Sequence, residues 1–160
     1  MLLAAVLSLL LAATHETARV LQVNDGDTIT VRLEGRTEKV RLVGIDSPET
    51  HDDRADYRKA AFAAKNYARS LLGGATVTLD PDARQSDRDR YGRLLRYVIL
   101  DDGTNVNEAM VRKGFAHVYT RFSFTLKARF QEAEAEAKRG GLGIWALAPG
   151  PWREVPAEGR

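Results

Sequence analysis

In Thr28–Leu33 the residues Ile29, Val31 and Leu33 alternate with Thr28, Thr30 and Arg32, and Lys39–Val43 resumes the pattern with Val40 and Leu42 opposite Lys39 and Arg41. Successive side chains of a strand point to opposite faces, so each run reads as a strand with one buried face. Glu34-Gly35-Arg36 turns the chain between the two runs. Asn24-Asp25-Gly26-Asp27, with its Asp-Gly pair, turns it ahead of the first, and Ala18–Val23 leads into that turn as another strand. The chain therefore opens with a sheet, and Arg41 points away from the Val40/Leu42 face.

Further on, Tyr57, Ala61, Ala64, Ala68 and Leu71 recur at helical spacing between about Asp53 and Leu72, and Gly73-Gly74 closes that helix. Ala75–Leu79 and Leu94–Leu100 read as strands. The segment between them is a charged loop, and PDARQSDRDRYGRLLR, from Pro81 to Arg96, carries five arginines and three aspartates. Asn105 followed three residues later by Glu108 resembles a capping box and predicts a short helix ending at Gly114. Phe115–Tyr119 reads as a further strand or extended segment, Thr125–Arg139 as a helix stopped by Gly140-Gly141, and Ile144 and Trp145 as a segment tucked into the core. At 160 residues the chain has room for one domain with a real core. Short strands first and helices interspersed late predict an α+β, mainly β, architecture: a curved or closed five-stranded sheet with helices packed outside it.

The domain is expected over residues 18–148, followed by a loose tail over 149–160 that holds proline, glycine and charge without periodicity. Residues 1–17 open with MLLAAVLSLLLAAT, an uncharged apolar run of signal-peptide length that is short for a bilayer span. Export, giving a secreted or periplasmic protein, is the first reading. Membrane attachment through an uncleaved residue 1–13 segment is the alternative. The chain has no cysteine, which removes disulfides, thiolate metal sites and cysteine nucleophiles. The formal net charge is only +2, so affinity for nucleic acid has to come from where the charges sit.

The charges gather in Val23–Thr50. Asp25 and Asp27 flank Gly26, and Asp46 and Glu49 flank Ser47-Pro48 just after Arg41. Taken singly, Asp25-Gly26-Asp27 is an ordinary hairpin turn, Asp46-Ser47-Pro48-Glu49 a helix cap, and Arg41 a solvated strand charge. Together, acids and an arginine in so short a stretch suit a cation and a phosphate. Arg84, Arg88 and Arg96 read as surface charges that steer nucleic acid, Tyr57, Tyr67 and Tyr97 as packing residues, and His15, His51 and His117 match no catalytic or zinc spacing.

The ordered motifs carry a likeness. The Asp25-Gly26-Asp27-Thr28 turn, Arg41-Leu42 with Asp46-Ser47-Pro48-Glu49-Thr50, Asp89 with Tyr91-Gly92-Arg93, Val106-Asn107-Glu108-Ala109 with Val111-Arg112 and Gly114, and Ile144-Trp145 follow one another in a single order. Over about residues 19 to 146 the chain resembles the staphylococcal (micrococcal) nuclease-like family, the thermonucleases. The resemblance implies an OB-fold five-stranded barrel with about three packed helices, and a monomeric Ca2+-dependent phosphodiesterase of DNA and RNA, with Mg2+ or Mn2+ as alternative ions. It implies Asp27, Asp46 and the Ser47 carbonyl as metal ligands, with Asp25 linked to the metal through water. Glu49 falls on the general base, Arg41 and Arg93 on the phosphate-binding arginines, Arg90 and Tyr91 on a pair that contacts a neighbouring phosphate, and Tyr119 on a tyrosine lining the base pocket. The rival reading is a barrel of the same fold that binds nucleic acid or protein without cutting.

Overall fold

The computed structural model describes residues 15–147; the expectations for the apolar N-terminal run and the 149–160 tail lie outside them. Five strands close into a barrel in the order β1-β2-β3-β6-β5: β1 Glu16–Val23, β2 Thr28–Leu33, β3 Arg36–Leu42, β5 Thr76–Asp80 and β6 Leu94–Ile99. All neighbours are antiparallel except β3 and β6. Outside the barrel a two-residue strand, β4 Ile45–Asp46, pairs with β7 His117–Val118, and three helices pack, α1 Ala55–Leu72, α2 Val106–Arg112 and α3 Lys127–Arg139. This is the architecture expected from the strand pattern: mainly sheet, with three helices.

The β2–β3 hairpin follows from its turn. Glu34 and Gly35 both have positive φ, 47° and 78°, the two-residue turn whose twist matches antiparallel strands. That turn fixes the register, which sets Thr28 opposite Arg41. Ile29, Val31, Val40 and Leu42 are buried, and the polar alternates are not all released to water, as Arg41 shows below. β1 shifts register between Val20 and Gln22, a bulge that bends it so that it pairs with β2 on one edge and β5 on the other.

Several boundaries and placements differ from expectation. β1 begins at Glu16, and Leu72 rather than Leu71 is the fully buried end of the α1 stripe. Of the Phe115–Tyr119 strand only His117 and Val118 pair. Arg96 is not a surface charge: it is 3 % exposed and donates to Glu16 Oε2 at 2.8 Å and Asp87 Oδ1 at 2.6 Å. It sits in register opposite Leu42, on a buried position of the barrel wall, and its two carboxylate partners neutralise it there. Arg88 remains on the surface but is paired, donating with both terminal nitrogens to Glu38. Tyr97 does pack, its hydroxyl donating to Asp82.

Two connections hold the segment that carries Asp46. The side chain of Asn107, at the start of α2, donates to the carbonyls of Val43 and Arg96 and accepts from Val98 N–H, so a fully buried amide joins the ends of β3 and β6. Gly44 then turns the chain at φ +77°, with the Phe124 ring so close that an added Cβ would lie 2.5 Å from it. Gly44→Ala is expected to lower unfolding free energy by about 2–4 kcal/mol, from left-handed backbone strain plus overpacking. Chemical denaturation reads this directly, and a loss under about 1 kcal/mol would mean that the ring yields at little cost.

Candidate metal and phosphate site

The charged residues of the cluster come from three consecutive pieces of chain. The β1–β2 turn supplies Asp25 and Asp27, the end of β3 supplies Arg41, and β4 supplies Asp46. Gly26 is what lets the first piece close on the third, because a Cβ there would lie 2.8 Å from Ser47 Cβ and 3.0 Å from Ala64 Cβ of α1. Asp27 is 6 % exposed and well held. Ser47 N–H donates to its Oδ2 at 2.8 Å and Thr28 Oγ1–H to its Oδ1 at 2.9 Å, while its own N–H donates to Asp25 Oδ1 at 3.2 Å.

Arg41 completes the cluster. Its Nη2 lies 2.8 Å from Asp46 Oδ1 and 3.1 Å from Asp27 Oδ2, and its Nη1 donates to the carbonyls of Ile45 at 2.8 Å and Leu42 at 3.1 Å. The guanidinium thus bridges the two aspartates that the family resemblance implies as metal ligands.

One arginine does not balance these acids. Burial works to raise Asp27, but the Arg41 charge and the hydrogen bonds from Ser47 N–H and Thr28 outweigh it and hold the carboxyl below the usual range. Its two neighbours go the other way. Burial, then the charge of Asp27, pushes Asp25 up to about 6. Burial pushes Asp46 up to about 7, with Asp27, Glu49 and Asp25 adding to it and Arg41 offsetting only part. The site holds more acid than its own cation can keep ionised at neutral pH, a deficit that a hard divalent cation fills. Among the described residues no three His, Asp or Glu side chains converge closely enough to enclose an ion alone. A cation here would take two carboxylates and find its other oxygens in carbonyls, water or substrate, a set that suits Ca2+ or Mg2+.

Glu49 is exposed just beyond β4, near enough to Asp46 for its charge to act there. Arg93 arrives from a separate turn, one residue ahead of Leu94, whose partner in β3 is Val40. Because Arg41 pairs with Leu95 in the parallel β3–β6 ladder, Arg93 lies two residues before the partner of Arg41, at the entry to the neighbouring strand. Asp89 organises that turn: its carboxylate accepts from Arg93 Nε at 2.7 Å and from the N–H groups of Tyr91 and Arg93. Arg93 Nη1 and Nη2 make no hydrogen bond to a described residue, so the end of the fork is open to a phosphate. No ion pair joins Arg93 to the acidic cluster among the described residues.

Tyr91 is 68 % exposed, with the Arg90 guanidinium 4.8 Å and that of Arg93 5.4 Å from its ring centre. Tyr119 is half-buried on the far side of β4, its N–H donating to Gly44 carbonyl at 2.9 Å. Its ring lies 5.9 Å from that of Phe122, which is exposed and carries Arg121 against it.

Sequence reasoning did not single out Arg121 or Phe122, placed Asp89 and Asn107 in motifs without giving them a role, and gave His117 none. His117 opposes Asp46 directly in the β4–β7 pair, with Nε2 3.8 Å from Asp46 Oδ2. Only Asp89 left a local signal, a carboxylate four residues ahead of the arginine that it orients; the others depend on chain brought in from a distance.

Residues 39–147 match the family model described as "Staphylococcal nuclease homologue". That span holds all the residues above except Asp25, Gly26, Asp27 and Thr28, which precede it. The chain is 32 % identical over 150 residues to an uncharacterized protein of Methanocaldococcus jannaschii, covering 82 % of this chain and 72 % of that one. It is 37 % identical over 134 residues to a protein named as an uncharacterized endonuclease in Escherichia coli O157:H7, covering 84 % and 81 %. With the thermonuclease of Staphylococcus hyicus it shares 30 % identity over 135 residues, covering 84 % and 78 %. The matched span covers more than half of the chain and takes in the end of β3, β5, β6 and all three helices, so this chain belongs to the staphylococcal nuclease homologue family.

Proposed function

We propose that this chain is a Ca2+-dependent nuclease that hydrolyses phosphodiester bonds of DNA and/or RNA by attack of water on phosphorus. The observation that carries the reading is the Asp27–Arg41–Asp46 bridge with its surplus of acid: carboxylates for a cation and a guanidinium for a phosphate share one cluster. Named thermonucleases and endonucleases among the relatives support it.

The substrate is an anion that repels its nucleophile, and its transition state gathers further charge on the oxygens around phosphorus. A bound divalent cation supplies Lewis-acid polarisation of a phosphoryl oxygen and a place for water. In this chain Asp27, Asp46 and the Ser47 carbonyl would hold it, and Asp25, beside Asp27, would hold a water of its shell. Arg41 is fixed by two carbonyls, which leaves it little freedom to lose on meeting the phosphate. Arg93 approaches from the turn that leads into β6, its Nε held by Asp89 and its terminal nitrogens without a hydrogen bond to a described residue. Guanidinium pKa values are too high for efficient proton donation, so both arginines act as charge and hydrogen-bond donors, and the leaving oxygen takes its proton from water. Glu49, exposed at the rim, deprotonates or orients the attacking water. Arg90 and Tyr91 contact a neighbouring phosphate, and Tyr119 lines the base pocket.

Incubating the protein with single-stranded DNA and RNA, with Ca2+ and then with chelator, tests the activity. Metal-dependent product is expected; its complete absence would favour a barrel that binds without cutting. Glu49→Gln is expected to slow turnover about 10²- to 10⁴-fold while Ca2+ affinity stays near the parent value. Equal turnover across pH would remove Glu49 from the base role. Among the described residues no helix is long and apolar enough to cross a membrane, and we take residues 1–17 as a signal peptide for export, which the mass of the mature N-terminus tests.

A further inference from the structure

We propose that His117 is a metal-selecting residue: its Nε2 and Asp46 Oδ2 form a nitrogen–oxygen bite that lets this site hold a first-row transition divalent ion as well as Ca2+. The inference rests on the reading of Asp46 as a metal ligand and concerns a residue which that reading leaves without a role.

The placement is set by backbone. Asp46 and His117 are directly opposed in the β4–β7 ladder, and opposed residues of an antiparallel pair project to the same face. The pairing is held on both sides: Tyr119 N–H donates to Gly44 carbonyl at 2.9 Å, and Val118 N–H donates to Glu134 Oε1 of α3 at 2.8 Å. The two carboxylate oxygens of Asp46 then face different partners. Oδ1 meets Arg41 at 2.8 Å, and Oδ2 lies 3.8 Å from His117 Nε2.

A separation of 3.8 Å is long for a hydrogen bond and suits two donors of one ion. With ligand distances of about 2.1–2.2 Å, atoms so spaced subtend roughly 120° at the ion. Closing by about 0.3 Å brings the angle to about 110°, within ordinary coordination. The imidazole is largely enclosed, its side chain 16 % exposed, so few rotamers are lost when it binds.

Donor chemistry turns this geometry into selectivity. Ca2+ is hard and takes oxygen; an imidazole adds little for it. First-row transition ions gain from a nitrogen ligand. A site of carboxylates and carbonyls alone would have no such second preference, so any affinity for a transition ion that exceeds the oxygen-only value is assigned to His117.

The experiment is titration calorimetry of the full chain, free of nucleic acid, with Ca2+ and with Mn2+, which accepts both oxygen and nitrogen. Pulsed electron paramagnetic resonance of the Mn2+ form then detects nitrogen bound to the ion. Parent, His117→Ala and His117→Gln are compared. The expected result is nitrogen modulation in the parent that disappears in both variants, with Mn2+ affinity falling at least tenfold and Ca2+ affinity within about twofold, which also shows that the variants fold. If Mn2+ binds without nitrogen modulation, if the modulation persists in the variants, or if the two affinities fall together or not at all, His117 is not a ligand and the proposal is overturned while the metal site stands. If neither ion binds the parent, the metal-site reading fails and takes this inference with it.

Discussion

Arg41→Ala is expected to lower turnover about 10³-fold or more while Ca2+ binding stays equal or tightens. The first half follows from the chemistry: an arginine aimed at a phosphoryl transition state contributes about 10³- to 10⁵-fold. The second half follows from the geometry of this chain. Nη2 lies on one oxygen each of Asp27 and Asp46, so in the metal-free protein the guanidinium occupies oxygens that a cation would use. Removing it frees them. Removal also strands Asp27, whose carboxyl is buried and held in its charged form first by Arg41, and breaking one side of a buried ion pair costs about 3–5 kcal/mol. The variant should therefore melt early without Ca2+ and recover when Ca2+ is added, because a ligand at 100 times its Kd returns about 2.7 kcal/mol. Thermal melts with and without Ca2+, beside a cleavage assay, read both effects. A variant that loses Ca2+ affinity in parallel with turnover would show that Arg41 supports the cation site instead of competing with it. Arg41→Lys should resemble the alanine variant in turnover, since one ammonium cannot span two carbonyls and two carboxylates.

The second large effect is in pH. Burial and three acidic neighbours push Asp46 up to about 7, and a cation binds only the deprotonated carboxylate. Protons therefore compete with metal below that value and not above it. Ca2+ affinity should rise about tenfold from pH 6 to pH 8 and flatten beyond, with a steeper fall below pH 6 as Asp25 also protonates. Asp46→Asn should bind Ca2+ at least about 100-fold more weakly, and its residual affinity should lose the step near pH 7. Calorimetry between pH 5.5 and 8.5 checks both. If Asp46→Asn keeps the step, the proton belongs to another group.

Much of the fold was legible because it rests on local rules. The alternation of Thr28–Leu33 and Lys39–Val43, the Glu34-Gly35 turn and the Asn105 cap depend on residues a few positions apart, and each appears, the second strand running from Arg36 to Leu42 instead of Lys39 to Val43. Arg96 was misread for the opposite reason. Its neighbours in sequence make it one more arginine of a charged segment, and only closure of the barrel brings Glu16, 80 residues away, to its side chain. The same limit applies to Asn107, which reaches Val43 across 64 residues, and to Phe124, whose ring explains why position 44 is glycine.

For the site, the sequence offered the candidates: Asp25, Asp27, Arg41, Asp46 and Glu49 within one stretch, to which the family resemblance added Arg93 with its flanking Arg90 and Tyr91 on a distant turn. Arg41 comes beside Asp27 because hairpin register is fixed by its turn, which sets Arg41 opposite Thr28. Tertiary structure alone decided the charge state and the company of those residues. Parallel pairing of β3 with β6 brings the turn that carries Arg93 beside the end of β3 that carries Arg41, pairing of β4 with β7 sets His117 opposite Asp46, and α1 packs Ala64 close against Gly26. Burial is a property of the assembled barrel, and burial is what drives Asp25 and Asp46 away from ordinary acidity and leaves the cluster short of positive charge.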